Sequence, residues 1–444
     1  MDSAFSYLNF IKFSNISRWD VKRFNLESEF ANESWVCLNK ILEPYKKTLL
    51  KPELIDNKIQ IISKINFAGN LFLRPLTDVK DFKSTLFEIP AECLIYSKIN
   101  VRHGCTYFNK TGRTIAGTSE YPVFKIKKDL VDGEYLQKIL RTNYIKKYLS
   151  SKTTGFSKTR VQIEEFLNTK IPLPSLSKQR EIVEKYNAKI KLAEEQEQKI
   201  KILEKEIEDL WTNTLGLEFV ELNYKETKTS FLNFAFLSQL TRWDIYNNTN
   251  DVKSIKYKFS KLKDIVIGKP LYGAGEKGVK NKSDVRYIRI TDINEDGTLN
   301  DDFVSAEKVE EKYILKENDF LIARSGNTVG KTFLYKNEYG KCLYAGYLIK
   351  FELDINKIIP EYILYYTKSK AYKTWILSNQ RANAQPNINS EEYLNSPIII
   401  PDLATQKDLV NKISKIKTTI KNLKNSSEQN IISAQEEFEK ELFE

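Results

Sequence analysis

The sequence predicts an α+β fold: two β-rich globular domains separated by a long antiparallel two-helix coiled coil, arranged as a pseudo-twofold internal repeat. Three observations predict it. The chain echoes itself at one very long period. Each copy runs from a β-leaning stretch through a helical patch and a proline-ended strand into a long charged helix. Each long helix carries an apolar stripe that needs a partner in water.

The repeat is read from pairs of segments. Ser17-Arg18-Trp19-Asp20-Val21 is echoed by Thr241-Arg242-Trp243-Asp244-Ile245 at an offset of 224, and Leu94-Ile95-Tyr96-Ser97-Lys98 by Phe320-Leu321-Ile322-Ala323-Arg324 at 226. Tyr135 and Tyr362, Phe166-Leu167 and Tyr393-Leu394, Pro174 and Pro401, and Gln179 and Gln406 all lie at 227. So small a drift means few net insertions between the halves.

After Arg-Trp-Asp, each copy turns β-rich in Ile, Val, Tyr and Phe, broken by Gly, Asn and Asp; in the second copy this includes 285–290 and 319–324. Helical patches are expected at 133–150 and 360–378, followed by the strands Ile171-Pro172-Leu173-Pro174 and Pro397-Ile398-Ile399-Ile400-Pro401. The first long helix starts near Ser177, read as its N-cap, and runs to about Trp211. Tyr186, Ala193, Ile200 and Ile207 recur every seven residues, with Val183 and Ile190 at the companion position and Glu197 and Glu204 as polar weak spots. The second starts near Thr405, with Ile413, Ile416, Ile420 and Leu423 as its seam; Asn425-Ser426-Ser427 weakens it before Ile431, Phe438 and Leu442 resume. Packing the two stripes together is the simplest solution, and chain direction favours an antiparallel pair. About 35 helical residues span roughly 50 Å, against roughly 34 Å for a turn of B-DNA. The seams alone are equally compatible with a dimerisation or scaffold coiled coil.

Composition excludes several chemistries. His103 is the sole histidine, which leaves little from which to build a triad or a histidine-based metal site. Cys37, Cys93, Cys105 and Cys342 form no CxxC pair and read as buried thiols of a reducing compartment, with no metal expected. The N-terminus lacks the pattern of a signal peptide, and no apolar run reaches bilayer-spanning length, so a cytoplasmic location and no membrane partner are expected. A net charge of +11, from 70 Lys and Arg against 59 Asp and Glu, is compatible with a polyanion such as DNA. An AT-rich genome also enriches lysine.

Two motifs mislead. Gly273-Ala274-Gly275-Glu276-Lys277-Gly278 fits GxGxxG but is followed by a polar loop and then a strand, where a dinucleotide site needs a helix. A flexible basic loop fits it better. Gly326-Asn327-Thr328-Val329-Gly330-Lys331-Thr332 has three residues between its glycines where a phosphate loop has four, which favours a hairpin turn or a DNA contact over a nucleotide site. Neither an Asn-Pro-Pro-Tyr nor an Asp-Pro-Pro-Tyr segment is present, and no acidic cluster with lysine suggests metal-dependent cleavage. No catalytic residues are expected.

Pro172-Leu173-Pro174-Ser175-Leu176-Ser177-Lys178-Gln179 with Ile182-Val183, and its second copy Ile400-Pro401-Asp402-Leu403-Ala404-Thr405-Gln406 with Leu409-Val410, resemble the specificity subunit of type I restriction-modification enzymes. The second copy departs only in the residues before Pro401. The resemblance implies target-recognition domains at 1–170 and 216–396 and helical spacers at 171–215 and 397–444. It implies one half of a bipartite double-stranded DNA site per domain, with the coiled coil setting the gap. Its implied partners are two methyltransferase subunits and restriction subunits; they, and not this chain, would use S-adenosylmethionine, ATP and Mg2+. The rivals are a specificity module of another DNA-modifying or phage-defence complex, and a non-enzymatic scaffold.

Bases are read by Arg or Lys on guanine and by Asn or Gln on adenine. The first domain offers Lys98, Asn100, Arg102 and His103 after a strand, then Lys158 and Arg160. The second offers Lys277, Lys280, Arg286, Arg289, Arg324, Asn327 and Lys331, with Gln385 opposite Lys158 and Asn387 opposite Arg160. The last two pairs serve equally well to cap the domain and dock it on its helix.

Overall fold

Two four-residue apolar runs, Cys93–Tyr96 and Phe320–Ala323, organise the molecule. An apolar strand without alternation needs cover on both faces, and every residue of both runs is buried. The structure, a computed structural model, describes residues 34–79, 82–151, 160–219, 252–280, 283–379 and 386–443. Both copies of Arg-Trp-Asp lie outside them. The chain forms two compact units, Met1–Glu195 with Ser426–Glu444, and Gln196–Asn425.

In the first unit the elements are β1 (Val36–Cys37), β2 (Leu42–Tyr45), β3 (Thr48–Leu49), α1 (Lys51–Asp56), β4 (Ile62–Ile65), β5 (Leu71–Leu73), β6 (Leu86–Ile89) and β7 (Cys93–Tyr96). Then come β8 (Thr106–Phe108), β9 (Ile115–Gly117), β10 (Val123–Ile126), α2 (Gly133–Ile139), α3 (Asn143–Ser151), α4 (Ile163–Leu167), β11 (Lys170–Ile171) and the long helix α5 (Leu176–Leu215), whose residues from Gln196 on belong to the second unit. The second unit has β12 (Leu217–Phe219), β13 (Val252–Ser254), β14 (Phe259–Lys261), β15 (Val266–Tyr272), β16 (Gly278–Val279), β17 (Arg286–Ile288), β18 (Ser305–Ala306), β19 (Phe320–Ala323) and β20 (Thr332–Leu334). It closes with β21 (Cys342–Tyr344), β22 (Leu348–Leu353), α6 (Pro360–Tyr366), α7 (Lys370–Asn379), α8 (Ser390–Leu394), β23 (Pro397–Ile399) and the long helix α9 (Leu403–Phe443), whose residues from Ser426 on belong to the first unit.

Each unit centres on a four-stranded antiparallel sheet, ordered β2-β10-β7-β8 in the first and β15-β22-β19-β20 in the second. Side chains alternate across a strand. Leu94 and Tyr96 therefore join the helical core with Tyr135, Leu136, Ile139 and Phe166, while Cys93 and Ile95 join Ile62, Ile89 and Ile115 on the other face. In the second unit, Phe320 and Ile322 face Tyr362, Tyr366 and Tyr393, whereas Leu321 and Ala323 face Ile288, Phe333 and Tyr344.

The expected helical patches are each two helices. The break falls at Thr142 in one unit and Ser369 in the other; both are buried, and the Thr142 hydroxyl donates to the Ile139 carbonyl at 2.7 Å. Tyr135 and Tyr362 repeat one contact, donating to the carbonyls of Pro172 and Ile399, each at 2.8 Å. Gln179 and Gln406 repeat another. The Gln179 side chain accepts from Asp132 N (2.8 Å) and donates to the carbonyls of Leu130 (3.0 Å) and Pro174 (2.8 Å). Gln406 accepts from Ile359 N (2.8 Å) and donates to Lys357 (3.1 Å) and Pro401 (2.8 Å).

The long helices begin slightly earlier than their sequences suggest. Ser177 lies inside α5; the capping oxygen is that of Ser175, which accepts from Lys178 N at 3.4 Å. Asp402 caps α9 by accepting from Thr405 N at 3.0 Å. α5 passes Trp211 to Leu215, because both side chains are buried in the second core, and stops at Gly216 with φ +63°. α5 and α9 pair antiparallel. In the first unit, Lys185 Nζ lies 2.9 Å from Glu441 and Lys189 Nζ 2.5 Å from Glu437. In the second, Lys424 pairs with Glu204 at 3.6 Å, and Leu409 and Ile413 share a core with Trp211 and Leu215. Of the seam residues, Val183, Ala193, Ile200, Ile413 and Ile420 are buried, and Tyr186, Ile190, Ile207, Ile416 and Leu423 half-buried. Asn425-Ser426-Ser427 does not interrupt α9. Ser427 continues the seven-residue seam of Ile413 and Ile420; it is buried, and its hydroxyl donates to the Ala193 carbonyl at 3.3 Å. Ala434 follows it in the seam, leaving Ile431 exposed.

Candidate nucleic-acid interface

The strands β7 and β19 end in the same backbone frame. Lys98 N donates to Glu120 O (3.1 Å), and Lys98 O accepts from Val161 N (2.9 Å). Arg324 N donates to Tyr347 O (3.0 Å), and Arg324 O accepts from Ile388 N (2.9 Å). The frame thus brings together Lys98 with Arg160 in one unit and Arg324 with Asn387 in the other, residues far apart in sequence. It adds Glu120 and Tyr347, which sequence reasoning missed because neither belongs to a cationic or amide-bearing segment.

The side chains in the two frames differ. In the first unit Glu120 accepts from Ile99 N (2.8 Å) and the Ser97 hydroxyl (3.2 Å), and its other oxygen lies 3.7 Å from Arg160 Nε. In the second, Arg324 Nε donates to Asn387 Oδ1 at 3.4 Å and its guanidinium lies 4.9 Å from the centre of the Tyr272 ring. Among the described residues no carboxylate pairs with Arg324. Tyr347 is 60% exposed.

Beside the first frame, Arg102 and His103 occupy the single turn Val101–His103, closed by Gly104 at φ +84°, and the Asn100 carbonyl accepts from His103 N at 2.9 Å. The His103 ring lies 5.0 Å from that of the exposed Phe67, and partial burial with Arg102 and Lys146 nearby holds its pKa below the usual value. Arg141 and Lys146 flank Gly104, and burial pushes the neighbouring Lys138 down to about 8, its ammonium 4.0 Å over the Tyr186 ring. Arg141, in the turn between α2 and α3, donates to the Ala68 carbonyl; no sequence motif marks these residues.

Several expected contact residues are engaged inside the second unit. Arg289 grips the buried Asp292 (2.6 Å) and Asp302 (2.7 Å), which raises its pKa further. Arg286 donates to Asn300 O at 2.5 Å and lies over Phe303. Lys331 Nζ sits 2.9 Å from Glu295 and donates to Ile293 O at 3.3 Å. Asn327, Lys277 and Lys280 are exposed, Asn327 on the turn Gly326–Thr328 between β19 and β20. Lys158 and Gln385 lie outside the described residues.

The GxGxxG segment follows β15 and leads into β16, not a helix. Ala274 is bridged to Ala345, so its start is anchored, not a flexible loop. A Cβ on Gly273 would lie 2.3 Å from Ala345 O, so that glycine serves close backbone approach. Cys37 is half-buried; burial pushes Cys105 and Cys342 up to about 11, away from nucleophilic thiolate character. Among the described residues no three His, Cys, Asp or Glu side chains form a metal-holding group, and no helix is long and apolar enough to cross a membrane.

Residues 254–431 match the family of the type I restriction modification DNA specificity domain. The chain is 20% identical over 293 residues to the type I restriction enzyme StySPI specificity subunit of Salmonella potsdam, covering 64% of this chain and 58% of that one. It is 21% identical over 285 residues to the EcoBI specificity subunit of Escherichia coli, covering 60% and 56%. The match thus spans under three fifths of these relatives' length. In fold it resembles a chain from a structure on complex assembly and conformational transition of a type I restriction-modification system (TM-score 0.53, 15% identity, 91% of this chain and 95% of that chain). It also resembles the type I S subunit from M. genitalium (TM-score 0.51, 11% identity, 93% and 98%). The chain is similar in sequence to the specificity subunits of type I restriction enzymes, and its residues 254–431 match the type I restriction modification DNA specificity domain.

Proposed function

We propose that this chain is the DNA specificity subunit of a type I restriction-modification complex, acting in the cytoplasm and catalysing nothing itself. It binds a bipartite double-stranded target, one half-site per target-recognition domain (1–170 and 216–396). The helical spacers (171–215 and 397–444) set the gap and recruit two methyltransferase subunits and the restriction subunits. Those partners supply S-adenosylmethionine, ATP and Mg2+ chemistry. The observation that carries this reading is the repeated strand-end frame: one backbone arrangement filled by Lys98, Glu120 and Arg160 in one unit and by Arg324, Tyr347 and Asn387 in the other. Shared scaffolds with different side chains suit two readers of different half-sites.

Lys98, Asn100, Arg102, His103 and Arg160, with Lys277, Lys280, Arg324, Asn327 and Asn387, are the contacts this reading favours. Methylome sequencing of cells with and without the gene tests it. Loss of one two-part methylated motif on deletion is expected. An unchanged methylome, or adenine methylation by the isolated chain, would sink it.

A further inference from the structure

Tyr347 stands out from its surroundings. Its ring is large and 60% exposed, and four backbone hydrogen bonds pin the turn that carries it. Ala345 N donates to Ile288 O (2.9 Å), Gly346 N to Ala274 O (2.8 Å), Leu348 N to Ala345 O (2.8 Å) and Arg324 N to Tyr347 O (3.0 Å). The close approach that Gly273 permits holds the GxGxxG segment beneath it. The ring is thus displayed at little ordering cost, on the residue whose carbonyl accepts from Arg324 N, while the Arg324 guanidinium is itself oriented by Tyr272 and Asn387.

Position 120 occupies the same place in the first frame but cannot act the same way. The Glu120 carboxylate is engaged by Ile99 N, the Ser97 hydroxyl and Arg160. A free carboxylate would also repel phosphate. The two frames therefore differ in kind: a neutralised ion pair in one, an aromatic face and an arginine without a carboxylate in the other.

We infer that Tyr347 is a specificity-determining residue of the second unit, its ring contacting the 5-methyl group of a thymine beside the base that Arg324 meets. This rests on the reading of the chain as a DNA specificity subunit. In a duplex the bases are stacked, so a protein ring meets their edges. The thymine methyl is the apolar feature of the major-groove edge, and arginine pairs with guanine there.

The test uses the full-length chain, Tyr347→Ala and Tyr347→Phe, each selecting from randomised DNA duplexes. The wild type is expected to enrich a two-part motif with a required thymine in one half. Tyr347→Ala loses that thymine preference alone, and Tyr347→Phe keeps it. Replacing that thymine with uracil, which removes only the methyl, weakens wild-type binding by about fourfold and leaves Tyr347→Ala unchanged. The inference is overturned if Tyr347→Ala enriches the wild-type motif, if it loses both halves together, or if uracil at every thymine position leaves wild-type binding unchanged. If the wild type enriches no motif at all, the specificity-subunit reading falls and this inference with it.

Discussion

Gln179 accepts a hydrogen bond from the backbone N–H of Asp132 at 2.8 Å, joining the start of the long helix α5 to the residue that caps α2. Its amide also donates to the carbonyls of Leu130 and Pro174; Gln406 likewise accepts from Ile359 N and donates to the carbonyls of Lys357 and Pro401. A fully buried amide that answers one N–H and two carbonyls fixes where a helix leaves its domain. A buried group left unpaired would be costly.

Gln406→Ala should therefore destabilise the second unit by on the order of 3 kcal/mol, by stripping partners from three backbone groups. Gln179→Ala should do the same to the first. Guanidinium denaturation curves of the two variants check this; a shift below 1 kcal/mol (a small part of that order-of-magnitude cost) would show that water replaces the amide.

Arg289 faces a buried carboxylate, Asp292, which is 0% exposed. Arg289→Ala leaves that charge uncompensated and should cost about 3–5 kcal/mol of stability. Arg324→Ala, whose partners are an amide and a ring, should cost less stability and more DNA binding. Thermal melts alongside duplex-binding measurements separate the two arginines; equal losses of stability would contradict the assignment.

Antiparallel pairing constrains any change in the length of the helices. A heptad inserted near Lys199 alone shifts the seam of α5 against α9. A second heptad in α9 near Asn422 restores it. The double insertion should lengthen the gap of the methylated motif and leave both half-sites unchanged, whereas the single insertion should lower stability. Altered half-sites in the double variant would show that the helices do not set the spacing.

Burial pushes Lys368 down to about 7, with Lys417 adding to the effect. Its unfolded value lies near 10.4, so above pH 7 the unfolded chain binds the proton that the folded chain has released. That contribution makes stability rise with pH from about 7 to about 10. Lys368→Met should be stabilising at pH 7, with its advantage shrinking as pH rises. Parallel denaturation curves across that range would contradict the burial of the ammonium.

The sequence by itself determined the duplication, the α+β character and the seam of both long helices. These follow from local chemistry: seven-residue apolar spacing, continuous apolar runs, and proline before each helix. It misread Ser427 as a weak spot, because whether a serine breaks a seam depends on what faces it, and Ala193 leaves room for its hydroxyl to bond. The candidate interface was half legible. Lys98, Arg160, Arg324 and Asn387 could be picked by residue type, but Arg286, Arg289 and Lys331 look identical in sequence and are held by Asn300, Asp292, Asp302 and Glu295. Only the tertiary structure decided which cations are engaged internally and that Glu120 and Tyr347 complete the two frames. Pairing across scores of residues is set by strand register and packing, and a linear chain carries no local mark of it.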